Sequence, residues 1–165
     1  MAKQKKTLTD LFHALLQDAY SGESQLVAAL PKMVKAATST ELATAFKKHL
    51  KETQTHVTTI ERVCKQVGCE TGSNTCEAME GLVAEGEEVI GLGLEPAALD
   101  AGLIAAAQKV EHYEIAQYGT LCTFAKQLGH DDVAGLLHDI LEQERATDEA
   151  LTELAEAGIN QMAEA

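Results

Sequence analysis

A chain of 165 residues with 45% hydrophobic content can bury one core and has no composition break that would divide it, so one domain over 1–165 is expected, with residues 1–6 flexible. The net charge of -13 argues against nucleic acid and anionic membrane surfaces as partners, and no run of about eighteen apolar residues exists to span a bilayer. The opening Met-Ala-Lys-Gln-Lys-Lys lacks the apolar stretch of a secretory signal, so a cytoplasmic protein is expected.

Frequent Ala, Leu, Glu, Lys and Gln with only two prolines predict an all-α chain. Thr7, Thr9 and Asp10 offer capping oxygens for a first helix, which the stripe Phe12, Leu15, Ala19, Leu26, Leu30 carries to about Ala37, with a kink expected at Pro31. Thr38-Ser39-Thr40 is so short a link that the next helix, from about Ser39 to Val67 on the stripe Leu42, Ala45, His49, Ile60, Val63, must run back beside the first. Gly68 to Thr75 reads as a stop and a loop, and Glu77 to Ile90 as a short helix of weaker period.

The stretch from Gly68 to Pro96 is thus a long crossover, which lets the long helices on either side of it run parallel. Pro96 suits the first turn of the third long helix, which runs to about Leu128 through Leu103, Ala107, Val110, Leu121 and Phe124. Gly129-His130 makes a corner, and Asp131 is expected to cap a fourth helix extending to Gly158 through Val133, Leu137, Ile140, Leu141, Leu151 and Leu154. The expected architecture is a four-helix bundle with a long crossover containing an extra short helix.

Each long helix interrupts its apolar stripe with charge at the same middle level. Glu23 does so in the first, Glu52 and His56 in the second, Glu111 and Glu114 in the third, Glu144 and Asp148 in the fourth. An isolated ionised carboxylate costs many kcal/mol to remove from water, so such residues need cationic partners. Six acids and one imidazole converging inside a bundle form the ligand inventory of a dinuclear carboxylate metal site, and hard oxygen donors with one imidazole select iron or manganese.

The acids also repeat. Glu23 to Glu52 spans 29 residues and Glu114 to Glu144 spans 30, and four residues beyond each second member stand His56 and Asp148, preceded by Thr55 and Thr147. By that pseudo-symmetry Glu52 and Glu144 are the expected bridging ligands, with Glu23, His56, Glu111, Glu114 and Asp148 terminal or alternative. The Glu52-x-x-x-His56 spacing departs from the frequent Glu-x-x-His pattern, and Asp148 stands where a second histidine is usual, so both are alternatively supporting groups. His49 reads as a core or supporting histidine, His112 as a surface group, and Tyr20, Tyr113 and Tyr118 as packing residues. Cys64, Cys69, Cys76 and Cys122 lack zinc-site spacing and read as reduced thiols, Cys69 and Cys76 being the pair placed to join across a turn under oxidation.

The segments Gln17-Asp-Ala-Tyr-Ser-Gly-Glu23, Cys76-Glu-Ala-Met-Glu-Gly-Leu82, Ala105-Ala-Ala-Gln-Lys-Val-Glu-His-Tyr-Glu-Ile-Ala-Gln-Tyr-Gly119 and Glu144-Arg-Ala-Thr-Asp148 resemble the YciF-like branch of the ferritin-like superfamily, over roughly residues 7 to 157. The resemblance implies a ferritin-like bundle, a homodimer, a rubrerythrin-like dinuclear site and expression linked to stress. The leading expectation is a protein that binds two iron or manganese ions and reacts with peroxide or oxygen. With no four-cysteine iron centre of the rubredoxin type, its electron donor is external. The rivals are a non-catalytic structural protein whose metal only stabilises the bundle and, more weakly, an iron-storage cage.

Overall fold

A computed structural model describes residues 5–72 and 74–164. Residues 1–4 of the expected flexible start lie outside the described residues. Helix α1 spans Leu8–Ala36, α2 Thr40–Val67, α3 Glu77–Gly91, α4 Pro96–Gln127 and α5 Asp131–Leu154. Among the described residues there is no strand, and no helix is long and apolar enough to cross a membrane.

Local chemistry explains the ends. Thr7 and Asp10 form a reciprocal capping box that satisfies two orphan donors at the start of α1, and the helix continues through Pro31 to Ala36. Gly68, at φ 76°, closes α2 in the left-handed region while the Cys69 N–H bonds to the Cys64 carbonyl at 2.9 Å. Gly129, at φ 80°, repeats the device at the end of α4, where the His130 N–H bonds to the Ala125 carbonyl at 2.9 Å. The last helix departs from expectation at its start. His130 rather than Asp131 takes the cap position, with no side-chain cap bond, so the Asp131 carboxylate sits inside the first turn and acts on the helix dipole. Beyond Leu154 the chain continues through a wide turn, Ala155–Ile159, that leaves helical angles at Gly158, where the helix is expected to end, and a last short helix α6, Asn160–Ala163, follows the kink, with Ala155 and Ile159 buried in the core.

Topology follows from a few long-range bonds. Asp100, in the first turns of α4, accepts from Thr38 N at 2.7 Å and Ser39 N at 2.8 Å, so α4 begins beside the start of α2 and the two run parallel. The crossover makes this possible, with α3 lying against α1 and α4. Cys76 fixes its entry: its N–H bonds to Ser21 Oγ at 2.9 Å, and its Sγ lies 3.2 Å from both Asp18 Oδ2 and Tyr113 Oη. All four cysteines are free thiols, and Cys76 is engaged with α1 and α4 rather than with Cys69.

The core is in two parts. Phe12, Leu16, Ile60, Val63, Tyr118, Leu121 and Leu137 pack one end of the bundle. Leu26, Leu30, Leu42, Phe46, Leu103, Ala107 and Leu151 pack the other. Between them, on every long helix, lies a layer of buried charge.

Candidate metal centre

The layer is built by positions that the helical period turns inward. On α1, Glu23 falls between buried Ala19 and Leu26; on α5, Glu144 falls between buried Leu141 and Leu151. On α2 His49 and His56 lie two turns apart on the buried face, and α4 contributes Glu111 and Glu114. Glu23, Glu111, Glu114 and His56 are 1% exposed, His49 3% and Glu144 0%, so water cannot solvate these charges.

They form two groups whose candidate donor atoms all lie within 4.8 Å of one another: His49, Glu111, Glu114 and Glu144 in one, Glu23, His56 and Glu144 in the other. Glu144 belongs to both. The Nδ1 of His56 lies 2.9 Å from Glu144 Oε1 and 3.3 Å from Glu23 Oε1, and the Nε2 of His49 lies 3.2 Å from Glu111 Oε1. Tyr118, wholly buried, donates its hydroxyl to Glu23 Oε1 at 2.5 Å.

The neighbouring groups set which ring nitrogen faces inward. His56 Nε2 lies 2.7 Å from Gln143 Oε1, an acceptor, which places the proton on Nε2 and leaves Nδ1 as a lone pair toward the two carboxylates. Thr147 gives its own hydroxyl hydrogen to the Gln143 carbonyl at 3.1 Å and so can only accept from His49 Nδ1, 3.4 Å away. That leaves His49 Nε2 as the lone pair toward Glu111. Each imidazole therefore presents a donor atom to carboxylate oxygens that also carry only lone pairs, an arrangement that demands a cation or an added proton between them.

The unpaired atoms mark the same place. Among the described residues the buried side-chain atoms without a hydrogen-bond partner are Glu23 Oε2, His49 Nε2, Glu52 Oε2, His56 Nδ1, Glu111 Oε2, Glu114 Oε2 and both oxygens of Glu144. Native proteins leave few such atoms, and here they cluster. Four buried carboxylates carry four negative charges, which two divalent cations would balance with both imidazoles neutral. Carboxylate oxygen and imidazole nitrogen are donors that suit iron or manganese, so the residues present fit such a pair.

Without metal, protons must play the balancing part. Burial raises the Glu111 carboxyl to about 7 against the pull of His49. Glu114 is pushed well above the carboxylate range by burial and by Glu23, Glu144 and Glu111. Burial alone would lower both histidines, but Glu144 and Glu23 overcome it and raise His56 to about 11, while Glu111 and Glu144 raise His49 to about 9. An empty centre is thus a proton store.

Of the expected ligands, the structure brings together Glu23, His56, Glu111, Glu114 and Glu144. It does not bring Glu52 or Asp148 into either group. Glu52, partly exposed, pairs with Lys48 at 2.9 Å. Asp148, also partly exposed, accepts from Gln108 Nε2 at 3.3 Å and lies 3.4 Å from His112 Nε2. The reason is register. The buried face of α2 reads His49, Thr53, His56, Ile60 and that of α5 reads Ile140, Glu144, Thr147, Leu151, with identical spacing, so Thr53 is the counterpart of Glu144. Glu52 and Asp148 lie about 70° round their helices from the middle of those faces. His49, expected to be a core or supporting histidine, is a member of the first group, and His56 of the second.

Comparison with known proteins follows this geometry. A family model described as "Domain of unknown function (DUF892)" matches residues 7–164. The chain is 48% identical over 160 residues to the protein YciF of Escherichia coli (strain K12), covering 96% of each. The crystal structure of that protein, described as a stress protein, superposes with a TM-score of 0.91 over 94% of this chain and 99% of the other. YcfI of Rhodopseudomonas palustris, described as a structural protein, superposes at 0.87 with 39% identity, covering 92% of this chain and 97% of the other. A ferritin-like diiron-carboxylate protein of Bacillus anthracis superposes at 0.70 with 15% identity, covering 91% of this chain and 99% of that one, a likeness of fold alone.

Proposed function

Since the chain belongs to the DUF892 family and carries a buried His/Glu cluster in a ferritin-like bundle, we propose that it is a stress protein holding two iron or manganese ions and reacting with peroxide or oxygen. The observation that supports this most is the sharing of Glu144 between the two donor groups. One carboxylate with both oxygens unpaired can serve two ions at once, with His49, Glu111 and Glu114 closing one side and Glu23 and His56 the other. Glu52 and Asp148 stand just outside as flanking carboxylates.

Such ions, when bound, supply one-electron exchange with an oxidant. The chain's own part is to bind and orient. Gln143 and Thr147 hold the two imidazoles in the ligating tautomer, and Tyr118 fixes one oxygen of Glu23. The two apolar half-cores keep water from the layer, and Glu111 and Glu114 are able to take up protons there when the charge changes. The reading includes an external electron donor, since the four cysteines do not form a cluster, and, on the family resemblance, a homodimer.

The description of YcfI as structural favours a second reading, in which metal serves folding alone. Turnover separates the two. Purified protein loaded with iron or manganese is mixed with hydrogen peroxide and a reductant. The redox reading expects faster peroxide loss than with Glu144→Ala protein, and equal rates would leave only the structural role.

A further inference from the structure

The turn that ends α2 carries a cysteine at each of the two positions that meet across it. The Cys64 carbonyl accepts from the Gly68 N–H and from the Cys69 N–H, the latter at 2.9 Å, while Gly68 at φ 76° reverses the chain between them. In a helix end closed this way, the side chain of the residue giving the last N–H commonly folds back onto that of the residue whose carbonyl accepts it. At the end of α4 those positions hold Ala125 and His130, where α2 has two thiols. A backbone bond between the two residues also holds them near enough for a disulfide, which spans roughly 4.4–6.8 Å between Cα atoms.

The two thiols differ in access. Cys64 is 1% exposed inside the half-core of Phe12 and Leu16, and half-buried Cys69 packs against the edge of the same half-core. Cys76 and Cys122 are both buried, the first with its sulfur against Asp18 and Tyr113 and the second with its sulfur 3.7 Å from the Ala134 carbonyl. Cys69 is therefore the thiol that a small solute meets first, with Cys64 behind it. The Cys64 thiol holds that of Cys69 below its usual range, and the same contact together with burial pushes Cys64 up. An accessible thiol of lowered proton affinity, backed by a second thiol, is the arrangement that oxidants find first.

We propose that Cys69 and Cys64 form a peroxide-reactive dithiol that closes to a disulfide across the end of α2. The Cys69 thiolate attacks one oxygen of hydrogen peroxide, the O–O bond breaks, and the other oxygen takes up a proton and leaves as water. The Cys64 sulfur, giving up its proton, then displaces the hydroxyl of the Cys69 sulfenic acid, and a second water departs as the S–S bond forms. Two thiols lose two electrons and one peroxide becomes two waters. Cys64 stands eight residues beyond His56, about 12 Å along α2, so the step is separate from the charged layer and holds whether or not that layer binds metal.

Peptide mapping tests it. Full-length protein, kept in chelator so that bound iron drives no oxidation, is treated with hydrogen peroxide at neutral pH beside free glutathione, then alkylated and cut with trypsin. Cleavage after Arg62, Lys65 and Lys109 leaves Cys64 in Val63–Lys65 and puts Cys69 with Cys76 in 66–109. The expected product is those two peptides joined, lighter than their sum by two hydrogens, formed also in Cys76→Ser protein and absent from Cys69→Ser protein. Thiol loss in Cys69→Ser protein is expected to slow at least roughly tenfold. Cys64→Ser protein is expected to stop at a Cys69 sulfenic acid, which a cyclic 1,3-diketone traps. A Cys69–Cys76 bond closed within 66–109, oxidation that begins at Cys76 or Cys122, or Cys69 left unreacted while the glutathione is oxidised overturns the proposal.

Discussion

Nδ1 of His56 lies 2.9 Å from Oε1 of Glu144, with both groups shut away from water. When no metal is present that distance is sustained by a proton, and the same holds for His49 and Glu111 at 3.2 Å. The metal-free protein should therefore depend on pH in a definite direction. Glu111 is raised from 4.5 to about 7, His49 from 6.5 to about 9 and His56 from 6.5 to about 11, so the folded state binds more protons than the unfolded chain across that whole range. Stability from these groups is complete below their unfolded values and is lost as pH rises through the folded ones. Chelated protein should show a Tm that falls by roughly 5 °C or more between about pH 5 and about pH 9. Metal-loaded protein should show a flatter profile, and a metal-free profile rising with pH would contradict this account.

The two donor groups make different demands on single residues. Glu23→Ala should empty the side served by His56 and spare the other, and Glu111→Ala should do the reverse. Glu144→Ala should weaken both, by at least the roughly 10–100-fold that loss of a supporting group costs a metal site. Asp148→Ala, at a partly exposed carboxylate engaged with Gln108 and His112, should leave uptake nearly unchanged. Metal per chain after dialysis, by elemental analysis, distinguishes these patterns.

Tyr118 gives its hydroxyl to Glu23 at 2.5 Å inside the core. Tyr118→Phe keeps the ring and leaves the carboxylate without that donor, so metal-free protein should lose about 1–3 kcal/mol in urea unfolding. Metal should restore part of the loss, because an ion gives Glu23 another partner.

The crossover helix is seated closely on α4. A Cβ at Gly102 would lie 2.8 Å from Val89 Cγ1, a branched side chain with little freedom to move. Gly102→Ala should cost about 1–3 kcal/mol as α3 is displaced. Gly22→Ala, whose Cβ would meet flexible Met79 at an ordinary 3.6 Å, should be near neutral. Thermal melts of the two variants side by side test the contrast.

Much of this was legible in the residues. An acid inside an apolar stripe has few explanations, and Glu23, Glu111, Glu114 and Glu144 each stand among residues that bury. The long crossover followed from Gly68, Pro96 and the weak period between them. What misled was the alignment of the halves. Glu23 to Thr53 and Glu114 to Glu144 are both 30 residues, and the one-residue discrepancy on pairing Glu52 with Glu144 was the trace of the true register. His49 was read as a core or supporting group by assuming one meeting point, whereas the buried charge extends along the bundle and includes both histidines of α2. The short helix after the break at Gly158 had no signal in the period, and buried Ile159 seats the chain there against α4.

The division of the apolar core by a charged waist bears on how the protein has been shaped. Exchanging buried charges for well-packed aliphatic groups commonly strengthens a fold by about 1–4 kcal/mol. A chain selected only for sturdiness would have drifted toward leucine at positions 23, 56, 114 and 144. Keeping acids and imidazoles there forgoes that robustness at the middle of the bundle, so the metal-free fold stands below the stability that an aliphatic waist would give it.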